Sequence, residues 1–514
     1  MRAFLDETYD KQLKILSYID DKKNIVTIKQ IADSTKLSEK TVLQTIRKFE
    51  QEFSHSESHF QIIYSNKSIK GIYAENLDLI EISSGYMKKS VLYKMIRNIF
   101  LYEKVEVKKF CDLEYISPPT FSRYRQRLAT ILNKFGLKLS RDNQIHGEEL
   151  KIRNFFYLFF FHSSSEWEFT IQEYAEIETY LYREIPSWHT NNKIRQRKIC
   201  LLIYISNVRA SQKHYYENKT MTKLSKCAND EYGNDFEYLD GVFDYFFSKK
   251  NRTIEQVWNE LSFVQLFLYK ESLNNEKIDY DQYENYFNIQ NFSFIEQSNL
   301  LTKKIIQTFF SEVNTDSRKL YLQIRQEIDK LHIAVSSFYI NPHFFYYVYD
   351  SANFYYHDDA EIKIVEQVNK IVAELIEEPS YKLFWNQLNK NISKEEFVNE
   401  LYPIVYTLLH AFQQYSYKKV KVMIQNSKIY MEGIISNKLM LIFGDRIQLV
   451  KDFRNTPDIL ITDMHVSDKP KPTKEIFVSS FSDFIDFNNA VDGIKNEIIK
   501  KYNQREFKRE IMTV

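Results

Sequence analysis

Residues 28–53 read IKQIADSTKLSEKTVLQTIRKFEQEF, and this stretch decides the fold. Ile28–Asp33 predicts a short helix, Ser34–Leu37 a turn, and Ser38 to about Phe53 a longer helix. In the longer helix Val42, Ile46, Phe49 and Phe53 are spaced by 4, 3 and 4, which defines one buried stripe. Ser38 is placed to cap the helix, its hydroxyl accepting from an orphan backbone donor. The opposite face carries Lys40, Thr41, Gln44, Thr45, Arg47 and Lys48. Gln pairs bidentately with adenine, Thr contacts base edges or methyl groups, and Arg and Lys suit phosphates. A plain solvated face would have a similar composition, so the surroundings must decide.

Upstream, Asp6 to Asp21 predicts an amphipathic helix with Leu13, Leu16 and Ile19 inward. Downstream, Phe60–Tyr64 and Ile69–Tyr73 predict two short strands around the turn Ser65–Lys67. The same order then recurs: helices at Lys88–Tyr102, Val105–Leu113 and Ser117–Phe135, then strands at Leu137–Ser140 and Gln144–His146. Helix, helix, turn, helix and hairpin is the winged helix-turn-helix, and its duplication favours duplex DNA as the partner. The second long helix opens Ser117-Pro118-Pro119-Thr120, a cap followed by proline where a missing N–H costs little. Phe121, Tyr124, Leu128, Leu132 and Phe135 form its inner stripe. Thr120, Arg123, Arg125 and Arg127 are expected to contact DNA, since no acidic residue follows until Arg141-Asp142. A positively charged interface between domains is the competing reading.

The charge distribution agrees. Residues 1–153 hold 27 Lys and Arg against 20 Asp and Glu, a net of +7, whereas the remainder is net −6. A basic front on a mildly acidic body places any polyanion on the front. Only 18 of the 514 residues are Gly or Pro, which disfavours glycine-lined phosphate cradles and favours long helices. No Walker, dinucleotide or G-x-S-x-G pattern occurs, so neither an enzyme nor a cofactor is expected. Three cysteines, none in a C-x-x-C pair, build no disulfide framework. Met1–Phe4 runs straight into charged residues, and the most apolar window, Phe155–Phe161, is too short to span a bilayer. A cytoplasmic chain with a core helix there is expected, with no membrane partner.

From about Arg153 to Gln413 apolar residues recur at helical spacing, as in Val257, Leu261, Val264 and Leu268, with a plausible divider at Asn274–Tyr286. At Lys418 the period changes. Val420–Ile424, Arg446–Val450, Asp458–Thr462 and Glu475–Val478 predict strands, and Ile429–Phe443 and Phe481–Tyr502 predict helices of a small α/β domain. The histidines form no metal pattern: His55 and His59 fall in a polar link without a third ligand, and His162, His214, His332, His343 and His410 lie in the helical block. The C-terminal outline is that of a phosphotransferase enzyme IIB, but Gln425-Asn426-Ser427 stands where its reactive cysteine belongs. A thiolate phosphocarrier is excluded there, and Asp463 is expected as a loop cap.

This order of parts resembles the Mga/RofA/AtxA family of transcriptional regulators. The likeness is carried by Ile28–Phe53, by Ile116–Leu139, and by Ile145-His146-Gly147-Glu148-Glu149 followed by Lys151-Ile152-Arg153. It implies a mainly α multidomain chain. Two winged helix-turn-helix units would occupy 1–80 and 81–153, and two helical-bundle domains like those of phosphotransferase-system (PTS) regulation 154–280 and 281–415. A cysteine-free enzyme IIB-like α/β domain would occupy 416–514. It further implies promoter binding, a homodimer, control of virulence or surface-protein genes, and modulation by a PTS phosphocarrier protein acting on histidine. His214, His410 and His332 are the positional candidates. An RNA-binding antiterminator would share the middle domains but not the helix-turn-helix front, and a PTS component would need the missing cysteine.

Overall fold

A computed structural model describes residues 1–22, 24–52, 59–65, 68–75, 77–163, 169, 171–184, 193–216, 252–271, 295–310, 317–338, 359–388, 392–411, 419–464, 470, 473–478 and 484–503. Phe53, His55, His343 and the divider expected at Asn274–Tyr286 lie outside them. Two compact units result: residues 1–291 with 332–352, and residues 292–331 with 353–514.

The first unit opens with α1 (Glu7–Lys22), α2 (Ile28–Thr35), α3 (Glu39–Glu52) and the antiparallel hairpin β1 (His59–Ser65) and β2 (Ser68–Glu75). It continues with α4 (Leu79–Lys89), α5 (Val91–Tyr102), α6 (Val107–Glu114), α7 (Pro118–Asn133) and the short hairpin β3 (Lys138–Leu139) and β4 (Ile145–His146). Two helices stand where the sequence predicts one from Lys88. Ser90 adopts extended backbone and breaks the run.

The repeat extends to backbone detail. Lys36 after α2 and Tyr115 after α6 both take left-handed backbone, at φ 56° and 53°. Each is followed by a backbone N–H turned back to the helix: Leu37 to Ala32 O (3.2 Å) and Ile116 to Cys111 O (3.1 Å). Then comes a serine cap. Ser38 Oγ accepts from Thr41 N–H at 3.2 Å, and Ser117 Oγ from Thr120 N–H at 3.3 Å. One turn geometry therefore orients both α3 and α7.

The rest of this unit includes α8 (Glu149–Ser163), α9 (Ile171–Glu184), α10 (Lys193–Ser211) and α11 (Ile254–Glu271). In α8 Phe155, Phe156, Phe159 and Phe160 are all buried, as expected for a core helix. Phe4, from the start of the chain, packs edge-on against Phe159 with centroids 4.9 Å apart. The wing exits through Gly147, where an added Cβ would lie 2.6 Å from Leu137 Cδ2, so any larger residue would have to displace the buried Leu137 side chain.

An ionic cluster sits under the exit. Arg153 is fully buried. It donates to Glu149 Oε1 at 3.0 Å, to Glu260 Oε1 at 2.8 Å and Oε2 at 2.5 Å, and to the His214 carbonyl at 2.9 Å. Arg209 holds both oxygens of Glu149, at 3.0 and 2.7 Å, and Tyr216 N–H donates to Glu260 at 3.0 Å. Burial alone would disfavour the guanidinium of Arg153, but Glu260 and Glu149 more than reverse this and hold it charged.

The second unit contains α12 (Ile295–Phe309), α13 (Ser317–Ile333) through Leu331, α14 (Asp359–Glu377), α15 (Pro379–Leu388) and α16 (Lys394–Ala411). Among the described residues of 153–413 every element is helical. The chain ends in β5 (Val420–Gln425), α17 (Ile429–Phe443), β6 (Ile447–Val450), β7 (Ile459–Thr462), β8 (Lys474–Phe477) and α18 (Phe484–Asn503). Its four strands are parallel in the order β6-β5-β7-β8. Val420, Val422, Ile459 and Ile461 form a core with Ile435, Leu439, Ala490 and Ile494 of the two helices. In the Asn426–Ser427 loop, Asp463 accepts from Ser427 N–H at 2.9 Å and from its hydroxyl, which lowers the carboxyl pKa. Asp463 is thus a loop cap.

Removing Glu260 would leave Arg153 buried without its bidentate partner. Glu260→Ala is expected to cost the first unit about 3–5 kcal/mol, read as faster amide exchange across α8 and α10.

Candidate nucleic-acid interface

On α3 the structure leaves Lys40, Gln44, Arg47 and Lys48 exposed and Thr41 half-buried. Thr45 departs from the expectation. It is only 8% exposed, and its hydroxyl donates to the Thr41 carbonyl at 2.9 Å. It lines the inner stripe with Val42, Ile46 and Phe49. The adjoining hairpin is tied to this helix by Tyr64, whose hydroxyl donates to Glu50 at 2.7 Å.

The three arginines of α7 divide. Arg123 is exposed, with one nitrogen 3.4 Å from the Thr120 hydroxyl. Arg125 instead reaches the wing: its Nε donates to Asn143 Oδ1 at 2.8 Å and a terminal nitrogen to the Ser140 carbonyl at 2.6 Å. Asn143, in left-handed backbone at φ 60°, passes the tie on to the Val105 carbonyl at 3.1 Å. Arg127 donates to the carbonyls of Ala3 at 2.7 Å and Leu5 at 2.9 Å. Arg125 and Arg127 were expected on the open face. The structure has both half-buried, with Arg125 tied to the wing and Arg127 to the start of the chain.

Sequence reasoning passed over Ser122 and Gln126, which share the exposed side of α7 with Arg123. The two turns supply the signal that finds them. Superposing Ser38 on Ser117 puts Gln44 on Arg123 and Arg47 on Gln126, whereas Arg125 falls on Ile46, a residue with no exposure.

The candidate histidines also separate. His214 follows α10, is 45% exposed in its side chain, and places Nε2 2.9 Å from Glu103 Oε1 at the end of α5. It borders a cavity of about 310 Å³ lined by Glu103, His146, Glu149, Arg209 and Lys213. Gln212 next to it donates to the Phe100 carbonyl at 2.8 Å. His332 is completely buried, and the side chain of His410 lies outside the described residues. His162 is held neutral, its pKa pushed down to about 4 by burial. Among the described residues no three His, Cys, Asp or Glu side chains are placed to hold a metal, and no helix is long and apolar enough to cross a membrane.

Residues 75–160, which hold the second helix-turn-helix and its wing, match the Mga helix-turn-helix domain. The chain thus carries a helix-turn-helix domain of the Mga type. Over 457 residues, 87% of this chain and 89% of the relative, it is 20% identical to the capsule synthesis positive regulator AcpB of Bacillus anthracis. The expected likeness to the Mga/RofA/AtxA regulators holds, and with it a DNA-binding transcriptional regulator.

The division of the Mga-domain arginines is measurable. Arg125→Ala removes two charge-assisted hydrogen bonds and should cost about 1.5–3 kcal/mol of stability. Arg123→Ala should stay within about 0.5 kcal/mol, as an exposed substitution does. Urea unfolding of the two variants checks the contrast.

Proposed function

We propose that this protein is a dimeric promoter-binding regulator that reads duplex DNA with α3 and α7 and is modulated through His214. The observation that carries the reading is the pair of serine-capped helices, α3 and α7, set by one turn geometry. Their outward faces bear Lys40, Thr41, Gln44, Arg47 and Lys48, and Thr120, Ser122, Arg123 and Gln126. Gln44 suits a bidentate adenine contact, and Arg123, in the equivalent position, a guanine or phosphate. Gel shifts against a duplex selected from random sequence test this. Gln44→Ala should change base preference at one position by about 1–3 kcal/mol. Arg123→Ala should also weaken binding, and unchanged affinity and preference in both variants would sink the assignment.

The target class we infer is virulence or surface-protein genes, a reading supported by the likeness to a capsule synthesis regulator. The middle helices act as PTS-regulation domains and the last domain as a thiol-free enzyme IIB relative, in a cytoplasmic protein. A phosphocarrier protein would deliver a phosphoryl group to the accessible His214. The product is dianionic and faces Glu103, so it would open the contact between α5 and the end of α10. His214→Asp and His214→Ala should move reporter output in opposite directions. Equal effects of the two would remove His214 from the mechanism.

The dimer contact is assigned to α17. This helix is rich in apolar residues, and Tyr430, Ile434, Leu441 and Ile442 are 64%, 39%, 86% and 51% exposed. A helix of this kind is normally covered. Leu441→Lys is expected to shift the full chain to monomer in sedimentation and to weaken promoter binding. A variant that remains dimeric would place the contact elsewhere.

A further inference from the structure

We propose that residues 1–6 form a strap locking the two helix-turn-helix units into one rigid reader, and that Arg127 and Tyr124 serve DNA binding by holding that strap. The inference rests on the reading of α3 and α7 as DNA-facing, and it concerns what fixes their spacing.

The strap is built in. Met1, Phe4 and Leu5 are 1%, 0% and 0% exposed, and Arg2–Phe4 forms a tight helical turn. Phe4 packs against Phe159 of α8, while Arg127 of α7 grips the carbonyls of Ala3 and Leu5. Asp6, the last strap residue, is shared by three helices. Its carbonyl accepts from Asp10 N–H in α1 at 3.0 Å. Its carboxylate accepts from Val91 N–H at the start of α5, at 3.3 and 3.4 Å, and from the Tyr124 hydroxyl of α7. Its own N–H donates to Ser90 Oγ at 3.1 Å. Ser90 caps no donor of its own helix, so a residue 85 positions upstream caps α5 instead.

The other side of the joint is closed from the first helix-turn-helix. Tyr9 of α1 stacks on Tyr86 of α4 with centroids 5.0 Å apart, and the Tyr86 hydroxyl donates to Glu52 at the end of α3 at 3.0 Å. The Leu77 N–H donates to Asp20 of α1 at 3.1 Å. Both reading helices therefore touch the same joint, α3 through Glu52 at its end and α7 through Tyr124 and Arg127 near its middle. A rigid pair accepts one separation and one phase on the duplex. Inserting half a helical turn, about 5 base pairs, between its two contacts turns one of them to the far side of the DNA.

The full-length protein and a duplex selected from random sequence test the strap. Hydroxyl-radical footprinting locates the two protected patches, and 2 or 5 base pairs are then inserted between them. The wild type should lose more than tenfold in affinity for the 5-base-pair insertion. Arg127→Ala, Asp6→Ala and Phe4→Ala should bind the parent duplex less well and discriminate the insertion less than threefold. Arg127→Ala combined with Asp6→Ala should cost little beyond either alone, since both open one joint. Tyr124→Phe removes a single hydroxyl and keeps the test open if Phe4→Ala fails to fold. Wild-type binding within threefold across all insertions would overturn the strap. So would a unit drop in salt slope on Arg127→Ala with Asp6→Ala unaffected, because Arg127 would then be touching phosphate. A chain that binds no duplex would overturn the DNA reading itself.

Discussion

An arginine with no access to water constrains everything around it. Arg153 is the largest fully buried side chain among the described residues, and a guanidinium in that position is tolerated only when its donors are met by charge. Glu149 comes from its own helix, Glu260 from α11, and the His214 carbonyl from the segment after α10. Arg209 balances the second carboxylate, so two cations and two anions are enclosed together. Three segments far apart in sequence must converge for the cluster to be complete. The exit of the second wing is thereby fixed to the helices behind it, which makes a DNA-binding module and a helical body one unit.

That fixing also ties in His214. Its carbonyl belongs to the buried cluster, its ring meets Glu103 of α5, and its neighbour Gln212 holds the end of the same helix. The ring lies where the helix-turn-helix domain meets the helices behind it. His332 has no comparable position, since burial shuts its ring away from any donor protein.

Much of this was legible in the sequence because the relevant signals are local. Capping serines, the Val42, Ile46 and Phe49 stripe of α3 and the period change at Lys418 depend on near neighbours, and each element they marked is present. The misplaced side chains were decided by long-range partners. Arg125 and Arg127 look solvent-facing on a helical projection, but their acceptors, Ser140, Asn143, Ala3 and Leu5, come from the wing and from the far end of the chain. Thr45 sits at a boundary of the stripe, where bonding to a carbonyl one turn back makes burial cheap. The break between α4 and α5 was invisible for the same reason: the capping group at Val91 is Asp6.

The aromatic face of α8 also bears on how the chain is made. Phe4 meets Phe159, and Arg153 meets Glu260, only after the later residue of each pair has left the ribosome. A nascent chain that ends within the first helix-turn-helix units therefore exposes phenylalanines that only later helices cover, a setting in which aggregation competes with folding. The DNA-reading front is translated first, yet it acquires its final support only after the body behind it has been synthesised. An incomplete product thus lacks the α8 ring against which Phe4 is packed.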